Sequence, residues 1–185
     1  MSETTTGLLP TPGQTVGPFF HYGLPYEGDR DLVLPGSAGA IRLSGTVYDG
    51  HGAPIPDALI EIWQARPDGT ISQAHGSIRR DGWTFTGFGR ASTGRDGSYS
   101  FSTLTPGPTE EGKPAFWAVT LFARGLLNRL FTRAYLPGPA TDADPFLASL
   151  TAAERASLIA TPDAQGFVFD LHLQGEAETV FLQHG

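Results

Sequence analysis

Alternation of apolar and polar positions carries most of the structural signal in this chain. Ile41, Leu43, Gly45 and Val47 alternate with Arg42, Ser44 and Thr46, the period of a strand with one buried face. Ala58–Trp63 predicts a second strand, and Tyr99–Phe101, entered through the tight turn Arg95-Asp96-Gly97-Ser98, a third. Phe116–Phe122 is almost wholly apolar and suits a central core strand. Arg129–Leu136 reads either as a strand or as one helical turn followed by a strand. Phe167, Phe169, Leu171 and Leu173 alternate with Val168, Asp170 and His172, and Thr179–Leu182 predicts a last strand. Asp49-Gly50-His51-Gly52 and Thr105-Pro106-Gly107-Pro108 supply turn chemistry between these runs. One helix stands out, Thr151–Ile159, where Thr151 and Glu154 have the spacing of a capping box. Seven or so short strands separated by turns predict an all-β fold, a β-sandwich. Residues 1–40 form an irregular arm and residues 41–185 the sandwich, in a single domain.

Composition strengthens that reading. The 24 glycines and 15 prolines make up about a fifth of the chain, against roughly an eighth in average proteins, too many breakers for a helical bundle. The arm is rich in Gly, Pro and Thr, yet carries Phe19, Phe20, Tyr22 and Tyr26, an apolar group that calls for a surface to cover. A net charge of -7 from 12 basic and 19 acidic residues disfavours nonspecific nucleic-acid binding. With no cysteine, disulfide frameworks, thiolate metal sites and cysteine nucleophiles are all excluded. The N-terminal residues lack the basic and apolar regions of a secretion signal, and the longest apolar stretch, near Ala115–Ala123, is far short of a membrane span. A cytoplasmic protein is expected.

Local motifs alone name no reaction. The histidines His21, His51, His75, His172 and His184 form no His-x-His or His-x-x-x-His pair. His172 reads as a structural histidine on a strand, and His51 as a turn residue. There is no Gly-x-Ser-x-Gly elbow and no Gly-x-Gly-x-x-Gly, and the string Gly107 to Lys113 is not a phosphate loop, because Pro114 stands where Gly-x-x-x-x-Gly-Lys requires Ser or Thr. Gly87-Phe88-Gly89 is read as part of a loop.

Four motifs in order are more specific: Gly45-Thr46-Val47-Tyr48-Asp49, then Pro54-Ile55-Pro56-Asp57-Ala58-Leu59-Ile60-Glu61-Ile62-Trp63-Gln64-Ala65, then Asp96–Phe101, then Pro106-Gly107-Pro108. Together they resemble the intradiol ring-cleaving dioxygenases, non-haem ferric enzymes with a β-sandwich core, over roughly residues 11–183. In active members two tyrosines and two histidines hold Fe(III), a donor set suited to a hard cation with room for a catecholate. The resemblance places those four positions at Ile71, at Thr109 directly after Pro106-Gly107-Pro108, and at Phe116 and Ala118. The last two fall in Lys113-Pro114-Ala115-Phe116-Trp117-Ala118, which stands where the family has Arg-Pro-Ala-His-x-His. Phe, Ala and Ile offer a metal no donor atom, so the family's iron site is expected to be missing from this chain and no catalytic residue is assigned in it.

The arm Thr11–Phe19 and the segment Leu121–Leu127 resemble a metal-free subunit of that family. This implies a homologous, iron-bearing partner subunit, a larger oligomer of such pairs, and ring cleavage of a small aromatic acid with O2. The same resemblance puts Thr15, Gly17, Pro18 and Arg124 beside the partner's substrate cleft, with Arg129 and Arg133 as alternatives to Arg124. A guanidinium there would attract a substrate carboxylate. A second reading, a non-enzymatic sandwich that retains only the fold, stays open because fold does not imply function. The retained arm and the Arg124 segment favour the first. An independent enzyme with some other metal site is disfavoured by the missing Cys and paired His.

Overall fold

The structure, a computed structural model, describes residues 20–74 and 80–183. One helical turn, α1 (Phe20–Gly23), precedes six strands: β1 (Ala40–Tyr48), β2 (Leu59–Trp63), β3 (Phe88–Ser92), β4 (Ser98–Leu104), β5 (Phe116–Phe122) and β6 (Leu130–Tyr135). Three short helices follow, α2 (Pro139–Asp142), α3 (Pro145–Ser149) and α4 (Ala152–Ala156), then β7 (Thr161–Pro162), β8 (Gly166–Val168) and β9 (Leu171–His172). One sheet runs β4-β1-β8-β7, with β9 also pairing β1, and the other runs β3-β2-β5-β6. The second sheet is antiparallel throughout, whereas β8 and β9 lie parallel to β1.

The alternation of the sequence decides what the sheets bury between them. Leu43 and Val47 from β1 and Tyr99 and Phe101 from β4 meet Ile60, Ile62, Trp117, Val119 and Leu121 from the other sheet. On β5 the inward Trp117, Val119 and Leu121 are buried, while Phe116, Ala118, Thr120 and Phe122 face outward and are half-buried. The predicted central position of this strand holds, since β5 lies between β2 and β6. Leu32 adds to the core, and Asp31 bridges to Ser102, so this stretch of the expected arm packs on the sandwich.

Four sequence expectations need correction. Gly87-Phe88-Gly89 is not simply loop: Gly87 turns at φ +74° and Phe88 and Gly89 open β3, which pairs with β2. Thr179–Leu182 forms no strand, because its bonds go to separate elements. Thr179 N–H donates to the His172 carbonyl, Val180 N–H to Ser157 Oγ, and Leu182 N–H to the Phe131 carbonyl. The helix at Thr151 has its capping box, but it ends at Ala156 and is accompanied by three other short helices. Beyond it, the Leu158 carbonyl and the Ala160 N–H both bond to the Tyr135 backbone, which draws the chain out of the helix. Finally, the alternating run at 167–173 is split into β8 and β9. Asp170 Oδ1 takes the Thr46 N–H at 2.8 Å in place of a ladder carbonyl, and the buried Tyr99 hydroxyl donates to the Phe169 carbonyl. Burial raises the Tyr99 pKa, so the phenol stays protonated and remains a donor. A Cβ on Gly45 would lie 1.9 Å from that same carbonyl oxygen, so only glycine lets the chain pass there.

The two sheets are joined by one side chain. Gln64, directly after β2 and 7% exposed, donates from Nε2 to the Leu104 carbonyl at 2.8 Å. Its Oε1 accepts from Thr103 Oγ1 and, at 2.9 Å, from Trp117 Nε1. Gln64→Leu would strand three buried polar groups, each worth about 1–3 kcal/mol when left unpaired. The expected loss is at least about 3 kcal/mol, a melting-point fall of roughly 6–12 °C for a chain of this size. Thermal unfolding followed by circular dichroism checks it, and a fall of only a degree or two would show that the network is dispensable.

Candidate functional site

The segment Glu61-Ile62-Trp63-Gln64-Ala65 places each side chain for a separate purpose. Ile62 enters the core and Gln64 clamps the sheets. Glu61, on the outer face, holds its cross-strand neighbour Arg90, whose Nε and Nη2 reach Glu61 Oε1 at 2.9 and 2.6 Å. Trp63 lies against Phe88, yet stays 49% exposed on that face. After Ala65 the chain turns tightly, with the Arg66 N–H bonded to the Thr70 carbonyl and the Gly69 N–H to the Arg66 carbonyl. The same Arg66 carbonyl accepts from the Gly107 N–H at 2.9 Å. A Cβ on Gly69 would lie 2.1 Å from the Pro108 oxygen, and one on Gly107 would lie 2.2 Å from the Pro67 oxygen. Two glycines thus lock together the loops that carry Ile71 and Thr109. Ile71 itself points no donor anywhere and is 61% exposed.

Thr109 and Phe116 line one small cleft of about 260 Å3, together with Glu110, Lys113, Arg133, Tyr135 and Asp144. Ala118 sits two residues further along the same face of β5, between Trp63 on β2 and Arg133 on β6. Arg133 fills this place. Its guanidinium carbon stands 4.4 Å from the Phe116 ring centre and its Nη1 donates to the Tyr135 hydroxyl at 3.2 Å. The four positions themselves do not fit a ferric ion: they offer a single hydroxyl, that of Thr109, and the Arg133 guanidinium lies over the Phe116 ring among them. Among the described residues no group of three or more His, Asp or Glu side chains is placed to hold a metal ion.

Arg124 is elsewhere. At about 3.3 Å per residue, β5 carries the chain roughly 20 Å from Phe116 to Phe122, and Arg124 follows at that far end. Its Nε lies 3.0 Å from Asp57 Oδ2. The base of the arm is fastened at the same end. The Phe20 ring meets Phe122 at 6.1 Å, Ser92 Oγ donates to the His21 carbonyl, and Arg90 Nη1 donates to the Leu24 carbonyl at 2.7 Å. Tyr26 lies 5.8 Å from the guanidinium carbons of both Arg80 and Arg90. Arg129 stacks on Phe131 at 5.0 Å, and the pairing of Leu130 with Leu121 puts it at the Phe122 end as well. Thr15, Gly17 and Pro18 lie outside the described residues, as do His75 and His184. His172 is a structural residue, stacked on Tyr48 at 4.8 Å.

The dioxygenase family matches residues 30–175, most of the chain. The chain belongs to this family, that of the intradiol dioxygenases. It is 37% identical to the protocatechuate 3,4-dioxygenase alpha chain of Burkholderia cepacia, over 96% of this chain and 98% of that one. It is 33% identical to the alpha chain from Pseudomonas putida, over 95% and 97%. A beta chain from Burkholderia cepacia is 32% identical over 75% of this chain and 66% of its own length. Among solved structures, the dioxygenase domain of a carbohydrate-binding fusion from Streptomyces sp. SirexAA-E superposes with a TM-score of 0.58 at 26% identity, covering 90% of this chain and 99% of that one. Among the described residues no helix is long and apolar enough to cross a membrane.

Sequence reasoning left out the groups that make the outer face of an intradiol dioxygenase distinctive in this chain: Asp57 under Arg124, the Glu61–Arg90 pair under the arm, and Tyr135 beside Arg133. The last was within reach, since Arg133 and Tyr135 are two apart on a strand and so share a face. The cation–ring contact at Phe116 generates a prediction. Arg133→Ala should cost about 1 kcal/mol, a melting-point fall of roughly 2–4 °C in thermal unfolding. An unchanged melting point would reduce the contact to a coincidence of packing.

Proposed function

We propose that this chain is the α subunit of a protocatechuate 3,4-dioxygenase and that, with a homologous β chain, it converts protocatechuate and O2 into 3-carboxy-cis,cis-muconate. The observation that carries this reading is similarity along the whole chain to α chains of that enzyme. The side chains at Ile71, Thr109, Phe116 and Ala118 support the complementary part: Fe(III) is held by the β chain, and this subunit has no activity alone. In this reading the partner's iron supplies the oxidative chemistry. The residues of this chain bind and orient.

Arg124 is suited to that task. Protocatechuate is an anion at neutral pH, and its product carries three carboxylates. On a chain of net charge -7, a local guanidinium at the cleft mouth offsets long-range repulsion and offers paired donors to a carboxylate. Thr15, Gly17 and Pro18 would line the same cleft from the arm, whose base is pinned beside Arg124. Pairs of the two chains would assemble further into a larger oligomer in the cytoplasm.

The reading is tested by purifying this chain and its β partner separately and together, then measuring iron and protocatechuate-dependent O2 uptake. The chain alone should hold no stoichiometric iron, lack the visible phenolate-to-iron absorption and consume no O2. The pair should hold one iron and be active. Stoichiometric iron or O2 uptake by this chain alone would overturn it.

A further inference from the structure

The ion pair of Arg124 is lopsided in a way that stability does not account for. The Arg124 side chain is 62% exposed, while that of Asp57 is 10% exposed. Asp57 Oδ2 lies 3.0 Å from Arg124 Nε, but Asp57 Oδ1 is fully buried and has no hydrogen-bond partner among the described residues. Leaving a buried oxygen unpaired costs more than a pair with an exposed arginine returns. Such orphaned groups in a well-packed region point to a role other than folding. Asp57 is also firmly seated. Its neighbour Ala58 is buried and donates its N–H to Thr93 Oγ1 at 2.9 Å, at the point where the chain enters β2.

Arg124, by contrast, has an exposed side chain, following Ala123 and preceding Gly125 at φ +91°. Among the described residues only its Nε edge is engaged, and the two Nη groups have no partner there. A guanidinium recognises a carboxylate through two parallel N–H donors in a fixed plane. An ion pair at the Nε edge restrains the guanidinium while leaving the Nη pair for a ligand.

We propose that Asp57 is a positioning residue that orients Arg124 toward the carboxylate of the aromatic acid in the partner's cleft, and so sets the preference for carboxylated over plain catechols. The inference rests on the reading that Arg124 reaches that cleft. Its sign separates it from simple charge balance. If Asp57 only tempered the positive charge, removing it would strengthen attraction for an anion. If it orients the guanidinium, removing it weakens binding.

The test uses the α/β complex with protocatechuate and with catechol, which lacks the carboxylate. Asp57→Asn should raise KM for protocatechuate about three- to ten-fold, a fraction of what losing a whole charged hydrogen bond entails. The effect should fall on KM rather than kcat, with a smaller change for catechol and with iron content and melting point retained. Arg124→Ala should show a larger selective loss, and the double variant should be no worse than Arg124→Ala alone. Should Asp57→Asn not assemble, Asp57→Ser is held to the same outcome. A lowered KM for protocatechuate, or equal losses on both substrates, overturns the role of Asp57 while Arg124→Ala remains selective. An Arg124→Ala variant with no selective loss instead removes the reading on which the inference depends.

Discussion

The architecture depends on the amide of Gln64. Where β2 ends, the chain must leave one sheet, pass beneath β4 and form the loop that carries Ile71. Three polar groups are buried at that point, the Leu104 carbonyl, the Thr103 hydroxyl and the Trp117 indole N–H, and Gln64 pairs with all of them. A shorter or charged side chain could not donate and accept in the same place. Because every polar group of the network is paired, it ties β2, β4 and β5 in one register as well as adding stability. The close approach of Gly69 and Gly107 follows from it, since the Arg66 carbonyl that accepts from Gly107 lies two residues beyond Gln64.

That frame leaves two places on the outer face, at opposite ends of β5, with different chemistry. At the Phe116 end an arginine lies over an aromatic ring and beside a phenol, in a cleft where Glu110 and Asp144 face Lys113 and Arg133. At the Phe122 end an arginine is held at its Nε by a buried carboxylate beside the root of the arm. The chain has the two-sheet fold of its family, while Ile71, Thr109, Phe116 and Ala118 hold hydrocarbon and hydroxyl. In the proposed role, function is carried by what this chain presents to another subunit.

Much of the sandwich was legible because one-sided burial imposes a period of two, as in β1 and β5. What was not legible failed for identifiable reasons. In β3 (Phe-Gly-Arg-Ala-Ser) the inward positions are the small Gly89 and Ala91 and the outward Arg90 is neutralised by Glu61, so the alternation is nearly invisible in sequence. Thr179–Leu182 has strand-like residues but finds donors and acceptors on three separate elements. The alternating run at 167–173 breaks where Asp170 replaces a ladder carbonyl. At the site, the motifs were enough to show that Thr109, Phe116 and Ala118 stand where the resemblance puts iron ligands, whereas Asp57 under Arg124 could not be seen. They are 67 residues apart in sequence, and only the pairing of β2 with β5 brings them together.

In the proposed role, this subunit shapes a catalytic centre that belongs to its partner. That role is tested most directly by anomalous diffraction at the iron edge on crystals of the α/β complex soaked with protocatechuate. The account predicts one iron peak for each pair, surrounded by residues of the partner alone, with the Arg124 guanidinium at hydrogen-bonding distance from the substrate carboxylate. An iron peak between Thr109 and Phe116 would contradict it.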